Sequence, residues 1–173
     1  NAGMLVSVTK GLFQNMGNQS GFEEIILKLN SSLISMNLQP MFMSLCLVRV
    51  QNYQAQIVGA GMPPLLLYSN QKKTVEEIES SGPPLGGFLN FNYKTDLRAL
   101  SNGDVLVLMS DGFAERMNEK KEIFGWDNGS KLLSKFADHH PDEIIRQFIS
   151  ANNTWGGNSD QTDDITIVVL KAK

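Results

Sequence analysis

Two aspartates in the C-terminal part of the sequence have positions that suit metal binding. Asp111 closely follows the apolar run at residues 105–109, and Asp163 with Asp164 directly precedes the run at residues 165–170. Buried strands hold carboxylates firmly at their ends, whereas the adjoining loops leave room for water and substrate. Carboxylate oxygens are the ligands that hard divalent cations prefer. Asp111 and Asp163 are therefore the candidate metal ligands.

A plainer interpretation exists for each aspartate. Asp-Gly after a hydrophobic run, as at Asp111 and Gly112, is a common turn signal. Two aspartates before such a run also occur at the solvated start of a strand. Each motif alone favours a turn, whereas the two together favour a metal site.

Length, composition and charge limit the classes of protein to which this chain could belong. The chain has 173 residues, of which 42% are hydrophobic and 19% charged, so it is long enough for a core and fits one domain over residues 1–173. The net charge is -3 and the basic residues are scattered, which argues against nucleic-acid binding. No run approaches the roughly 18 apolar residues that cross a bilayer, so we expect no membrane contact by this domain and a cytoplasmic location. The lone cysteine, Cys46, lies in an apolar run and is expected to be buried.

The elements that must position the aspartates begin with two helices. Leu5, Val8, Leu12 and Met16 recur at helical spacing. A second helix is predicted to begin at Ser20, which forms a capping-box pattern with Glu23. Its buried face is expected to contain Phe22, Ile25, Ile26, Leu29 and Leu33.

The middle of the chain has the pattern of antiparallel strands. Residues 41–50 and 53–59 are β-prone runs that flank Gln51 and Asn52, which predicts a hairpin. The breakers at residues 59–64 and 81–87, rich in Gly and Pro, cannot continue a central strand. Further strands are predicted at residues 65–68, 92–97 and 105–109, the second of them at a sheet edge.

The C-terminal part returns to helices before a last strand. Residues 114–125 are charged and are predicted to be a solvated flap or a short helix with a loop, anchored by Phe124 and Trp126. Two helices follow, the second starting within residues 138–141, and a polar loop at residues 152–162 leads to the last strand. The expected cap of the first is Asp127 or Asn128, and the expected buried residues are Leu132, Leu133 and Phe136, then Ile144, Ile145, Phe148 and Ile149. The element order indicates an α+β fold, with helices packed on antiparallel β-sheets.

Four separated motifs, in order along the chain, resemble those of bacterial SpoIIE-type phosphatases in the metal-dependent protein phosphatase (PPM) superfamily. They are Gly-Ala-Gly-Met-Pro-Pro-Leu-Leu-Leu at 59–67, Pro-Leu-Gly at 84–86, residues 103–115 with Ser-Asp-Gly at their centre, and Asp-Asp-Ile-Thr at 163–166. The resemblance covers essentially the whole chain. It implies an α/β/β/α sandwich of layered sheets and helices, truncated at its N-terminus.

The resemblance implies a two-metal serine/threonine phosphatase in which Mn or Mg ions activate water, so no catalytic side chain is expected. Asp111 and Asp163 match the family's C-terminal metal aspartates, and Asp164 matches a position beside them. The adjacent His139 and His140 are expected to have a surface or capping role. The implied substrate is phosphoserine on a regulatory protein such as an anti-sigma factor antagonist. The resemblance is compatible with a homodimer. It is also compatible with a parent protein that is anchored in a membrane.

The sequence also departs from the family pattern. The family's N-terminal strands carry further metal carboxylates, and this chain begins where they should have ended. We therefore expect the chain alone to be weakly active or inactive. Met62 occupies a position where the family often has His. A non-catalytic, phosphatase-like module that binds a protein partner is the alternative.

Overall fold

The computed structural model describes residues 2–16, 21–37, 41–79 and 82–173. The chain has the predicted α+β fold of antiparallel sheets and helices. In chain order the elements are α1 (Ala2–Asn15), α2 (Phe22–Ser35), β1 (Leu45–Gln51), β2 (Gln54–Ala60), β3 (Leu65–Ser69), β4 (Thr74–Ile78), β5 (Asp96–Ala99), β6 (Val105–Met109), α3 (Asp111–Ala114), α4 (Trp126–Phe136), α5 (Pro141–Gly156) and β7 (Ile167–Lys171).

These elements group into two compact units. The first consists of Asn1–Met62 and Ser80–Ala99, and the second of Pro63–Glu79 and Leu100–Lys173. A single domain over residues 1–173 stays a prediction. Among the helices that the structure describes, none combines the length and apolar character needed to span a membrane.

The first unit contains both N-terminal helices and a three-stranded sheet. The expected face of α2 is confirmed, because Phe22, Ile25, Ile26, Leu29 and Leu33 are all buried. The predicted capping residue Ser20 lies outside the described residues. The observed cap position is Gly21, which has no side chain to cap the helix.

The hairpin in the first unit is confirmed, but its turn lies one residue later than predicted. β1 pairs with β2 from Leu45↔Ala60 to Gln51↔Gln54, and β5 adds on the other side of β2. Asn52 and Tyr53 form the turn, with φ values of 49° and 57°. Two consecutive left-handed residues are typical of a type I′ turn, which matches the twist of the flanking strands.

Cys46, in β1, is half-buried rather than fully buried. Burial nevertheless raises the pKa of its thiol to about 11, because an apolar environment disfavours the thiolate. The side chain therefore stays protonated at neutral pH, in agreement with its expected role as a small apolar residue.

The second unit contains a four-stranded antiparallel sheet with the order β4-β3-β6-β7. β6 has the predicted bounds and is paired on both sides, with β3 and with β7. β7 starts at Ile167, two residues later than the apolar run suggested, and β4 was not predicted. The core on this sheet includes Leu66, Val107, Phe113, Leu133 and Phe148.

The charged segment after β6 forms a loop closed by backbone hydrogen bonds. α3 is a single turn, and the chain then folds back in a short loop closed by bonds from Asn118 N to Glu122 O at 3.0 Å and from Phe124 N to Arg116 O at 2.8 Å. Phe124 is buried, as the prediction of an anchor required. Arg116 is also buried, so the prediction of a solvated segment is wrong at this position.

Two helices complete the second unit. α4 is capped at Gly125 rather than at Asp127 or Asn128, and His140 caps α5 by accepting a hydrogen bond from Asp142 N, which confirms a capping role. α5 continues to Gly156, into the region predicted as a loop. Ile149 is 43% exposed, contrary to the prediction that it is buried.

Candidate metal centre

Asp111 is placed by the end of the central strand β6. The buried residues of β6 stop at Met109, Ser110 keeps an extended backbone, and Asp111 begins the single turn of α3. The Asp111 side chain is exposed, and its Oδ1 accepts a hydrogen bond from Gly112 N at 3.0 Å. Because β6 is paired with a strand on each side, the Asp111 carboxylate at its end has a fixed position on the surface.

Asp163 lies in the segment that leads into β7. Its Oδ1 accepts a hydrogen bond from Asp164 N at 2.8 Å, and its carbonyl accepts one from Gln161 Nε2 at 3.0 Å. The side chains of Asp163 and Asp164 are both exposed. With Gln161 and Thr162 they line an open polar depression of about 410 Å³. The local bonds orient the loop without covering the carboxylates.

Ser110 joins these two regions of the chain. Its backbone N donates to Thr166 O at 3.0 Å, and its Oγ donates to Asp164 O at 3.0 Å. The same Oγ accepts a hydrogen bond from Thr166 N at 2.9 Å. The three bonds extend the pairing of β6 with β7 past the end of both strands. The residues next to Asp111 and Asp163 are therefore connected directly.

Gly112 allows the two segments to approach closely. A Cβ built on Gly112 would lie 2.6 Å from Asp164 O and 3.3 Å from Asp163 Cβ. The first distance is far inside van der Waals contact, so a side chain here would force the segments apart. Because Asp111 precedes Gly112, this contact places Asp111 and Asp163 at the same edge of the sheet.

The donor set at this edge consists of oxygens. Exposed carboxylates without histidine or cysteine suit Mg²⁺ or Mn²⁺ better than zinc. Two carboxylates could supply only part of a ligand set, because such ions take about six oxygen ligands. In the part of the chain that the structure describes, no group of three or more His, Cys, Asp or Glu side chains could hold a metal ion. The two carboxylates thus fit a hard cation in kind but are too few for a complete ligand set.

Sequence reasoning singled out the aspartates but not the residues that hold them. Ser110 and Gly112 belong to the motif that carried the family resemblance, and the signal for their roles was their position beside Asp111. Arg116 gave no signal, because a lone basic residue in a charged segment is normally solvated.

Comparison with known proteins agrees with the fold. The sequence model of SpoIIE, described as Stage II sporulation protein E, matches residues 1–173. Phosphoserine phosphatase RsbU from Bacillus subtilis is 27% identical over 124 residues, which are 72% of this chain and 36% of that protein. The chain thus spans little more than a third of the length of this curated relative.

Solved structures resemble the whole chain. The SiaA-PP2C domain of Pseudomonas aeruginosa matches with a TM-score of 0.83 and 21% identity, covering 98% of this chain and 68% of that one. The phosphatase domain of the cell fate determinant SpoIIE from Bacillus subtilis, presoaked with Mn, matches with a TM-score of 0.62 and 18% identity, covering 97% and 73%. At these identities the likeness establishes a PP2C-type phosphatase fold.

Proposed function

The chain belongs to the SpoIIE family, and on that basis we propose that it is the metal-dependent part of a protein serine/threonine phosphatase. The proposed reaction is hydrolysis of a phosphoserine ester by water. The proposed metal ligands from this chain are Asp111 and Asp163, and the proposed ions are Mn or Mg, two in a complete site.

One observation carries the proposal. Gly112 lies against Asp163 and Asp164, so Asp111 and Asp163 share one edge of the sheet although many residues separate them in sequence. If Asp111 and Asp163 only formed turns, the two residues would not need to lie at the same edge of the sheet. The hydrogen bonds of Ser110 to Asp164 and Thr166 maintain it.

The chain's own residues would bind the ions and keep them accessible. Asp111 and Asp163 would supply carboxylate oxygens, and the open depression beside Asp163 would admit the phosphate group. A bound divalent cation supplies Lewis acidity, which lowers the pKa of water and offsets negative charge on phosphate oxygens. No side chain of this chain is needed as a nucleophile in that chemistry.

The proposed substrate is a phosphorylated regulatory protein. The similar protein RsbU is named as a phosphoserine phosphatase, which supports phosphoserine as the target group. A small regulator such as an anti-sigma factor antagonist fits the family resemblance, and a cytoplasmic location would bring enzyme and substrate together.

A second candidate function is a non-catalytic module that binds a protein partner. It is favoured by the small number of carboxylates at this edge of the sheet, because among the residues described in the structure no group of three or more His, Cys, Asp or Glu side chains could hold a metal ion. In that case the aspartates would have no role in hydrolysis.

The test is Mn²⁺-dependent hydrolysis of p-nitrophenyl phosphate by the complete protein and by two variants, Asp111→Asn and Asp163→Asn. We expect each substitution to lower kcat/KM roughly 100-fold, since loss of a ligand should cost at least as much as loss of a residue supporting one. The matched control is Asp127→Asn, which neutralises an exposed aspartate in the first turn of α4 and should leave the rate unchanged. Equal rates for wild type and Asp111→Asn would exclude Asp111 as a metal ligand, and no Mn²⁺-dependent hydrolysis by wild type would exclude the phosphatase proposal in favour of the binding module.

A further inference from the structure

Arg116 is a buried cation whose position the proposed chemistry does not explain. Its exposed fraction is only 7%. Its Nη2 donates to the carbonyl oxygen of Ser159 at 2.6 Å, and no ion pair involving it occurs among the residues that the structure describes. An arginine is almost never this buried unless its charge is paired.

The guanidinium group lies on the C-terminal end of α5. A Cβ built on Gly156 would come within 2.6 Å of Arg116 Cζ, so the absence of a side chain at Gly156 makes room for the guanidinium. One turn earlier on the same helix, buried Asn152 donates through Nδ2 to Phe113 O at 2.7 Å. Arg116 and Asn152 therefore connect the end of α5 to the segment that follows Asp111.

This placement is costly in free energy. Arg116 Nε and Nη1 are buried and have no hydrogen-bond partner in the described part of the chain. A buried donor without a hydrogen-bond partner destabilises the folded state, and an apolar side chain of similar length would avoid that cost. A positive charge is favourable at the end of α5, but the two unsatisfied donors offset that gain, so stability alone does not account for Arg116.

The chain path shows which groups Arg116 can place. Arg116 comes two residues after the end of α3, which begins at Asp111, whereas Ser159 lies in the loop that leads to Asp163. In sequence, Asp111 lies between Ser110 and Arg116, and Asp163 lies between Ser159 and the residues that Ser110 bonds. The hydrogen bond from Arg116 to Ser159 thus joins the same two segments at a second point. The loop at residues 157–166 is held at its end by Ser110 and near its start by Arg116.

We propose that Arg116 is a positioning residue that fixes the loop at 157–166 against α3, so that Asp163 is held beside Asp111 for metal binding. The inference rests on the proposed function and adds a residue to it. A second bond to this loop, from Asn158 Nδ2 to Glu119 Oε1 at 3.2 Å, is exposed and contributes less. Because the Ser110 bonds remain without Arg116, its loss should loosen the loop without unfolding the sheet.

The test uses the complete protein with the substitutions Arg116→Met, Arg116→Lys and Gly156→Ala. Arg116→Met keeps the length of the side chain and removes its donors. Arg116→Lys keeps the positive charge and a single donor nitrogen, so it should rescue part of the function. Gly156→Ala leaves Arg116 in place but displaces its guanidinium. The control is Arg146→Met, because Arg146 is an exposed arginine on α5 that pairs with Glu143.

Two measurements are made on each variant, amide hydrogen exchange and Mn²⁺ affinity by calorimetry. For Arg116→Met we expect about tenfold faster exchange within residues 157–166 and about 10- to 100-fold weaker Mn²⁺ binding. Gly156→Ala should change both in the same direction, Arg116→Lys should fall between wild type and Arg116→Met, and Arg146→Met should match wild type. If Arg116→Met does not fold, Arg116→Lys and Gly156→Ala decide the result.

Two outcomes would overturn the inference while leaving the proposed function intact. One is unchanged exchange in the loop of Arg116→Met. The other is unchanged Mn²⁺ affinity in Arg116→Met when Asp163→Asn weakens it. Wild-type protein that binds no Mn²⁺ would contradict the proposed function itself, and loop exchange would still report whether Arg116 holds residues 157–166.

Discussion

At the scale of single residues, the candidate site depends on two small neighbours of Asp111. Ser110 uses its backbone and its hydroxyl to bond Asp164 and Thr166, and Gly112 lets the backbone of Asp164 approach closely. Neither residue is a metal ligand in our proposal. Their effect is to hold together, at one edge of the sheet, two segments that are distant in sequence and that each carry an aspartate.

Substitution of Gly112 by alanine tests this contact. The added Cβ would lie 2.6 Å from Asp164 O, a backbone atom that can move only if the pairing at Ser110 is disturbed. We expect Gly112→Ala to lower the free energy of unfolding by about 1–3 kcal/mol, the usual cost of forcing extra atoms into a packed site. Urea denaturation measures the change.

The matched control is Gly11→Ala. Gly11 lies within α1, and a Cβ there would meet nothing within 4 Å. Alanine favours the helix over glycine by about 0.5–1 kcal/mol, so this variant should be as stable as wild type or more so. If Gly112→Ala proved equally harmless, the close approach at Asp164 would not be a constraint on the site.

The sequence identified the aspartates because their residue type and their place beside apolar runs are local features. The partners of Ser110 and Gly112 are far away in sequence, so no local pattern could specify them. Arg116 was missed for a related reason. Its burial follows from the contact with Gly156, which only the folded chain brings near.

At the scale of secondary structure, the candidate site lies at the ends of β6 and β7, and β7 is an edge strand. Lys171, the last residue of β7, donates from Nζ to Ala137 O at 2.8 Å and to His139 O at 3.0 Å. These carbonyls are at and just after the C-terminal end of α4, where a positive charge interacts favourably with the helix dipole. The contact attaches the edge strand to a helix of the same unit.

Lys171→Met tests that attachment. Methionine keeps an unbranched apolar side chain but removes the charge and both hydrogen bonds. We expect the free energy of unfolding to fall by about 1.5–3 kcal/mol, as for loss of a charged hydrogen bond. Thermal and urea denaturation measure it against Lys131→Met, an exposed position on α4 that should change stability by less than about 0.5 kcal/mol. Equal effects at the two positions would contradict the assigned role of Lys171.

The elements themselves were predictable to different degrees. β6 was predicted with its observed bounds because five consecutive apolar residues form a strand paired on both sides. β4 was missed because Glu76 and Glu77 are exposed, as an edge strand allows, and they interrupt the apolar pattern. The extension of α5 was missed because Asn152 is polar, yet its amide is buried and bonded to Phe113 O.

At the scale of the whole molecule, both aspartates and the residues that support them lie in the second unit, at Pro63–Glu79 and Leu100–Lys173. The first unit was predictable from its helix periodicity and hairpin pattern, and it contains neither aspartate. The family assignment covers residues 1–173, whereas the substrate and the remaining metal ligands stay proposals. The proposed site is therefore best tested by asking whether Asp111 and Asp163 depend on each other in metal binding.

The most direct measurement is a double-mutant cycle of Mn²⁺ affinity in the complete protein, using Asp111→Asn, Asp163→Asn and the combined variant in calorimetric titrations. If both aspartates serve one metal centre, each single substitution should weaken binding roughly 100-fold, and the combined loss should differ from the sum by about 0.5–3 kcal/mol. Strictly additive losses, or unchanged affinity in either single variant, would contradict a shared metal centre at Asp111 and Asp163.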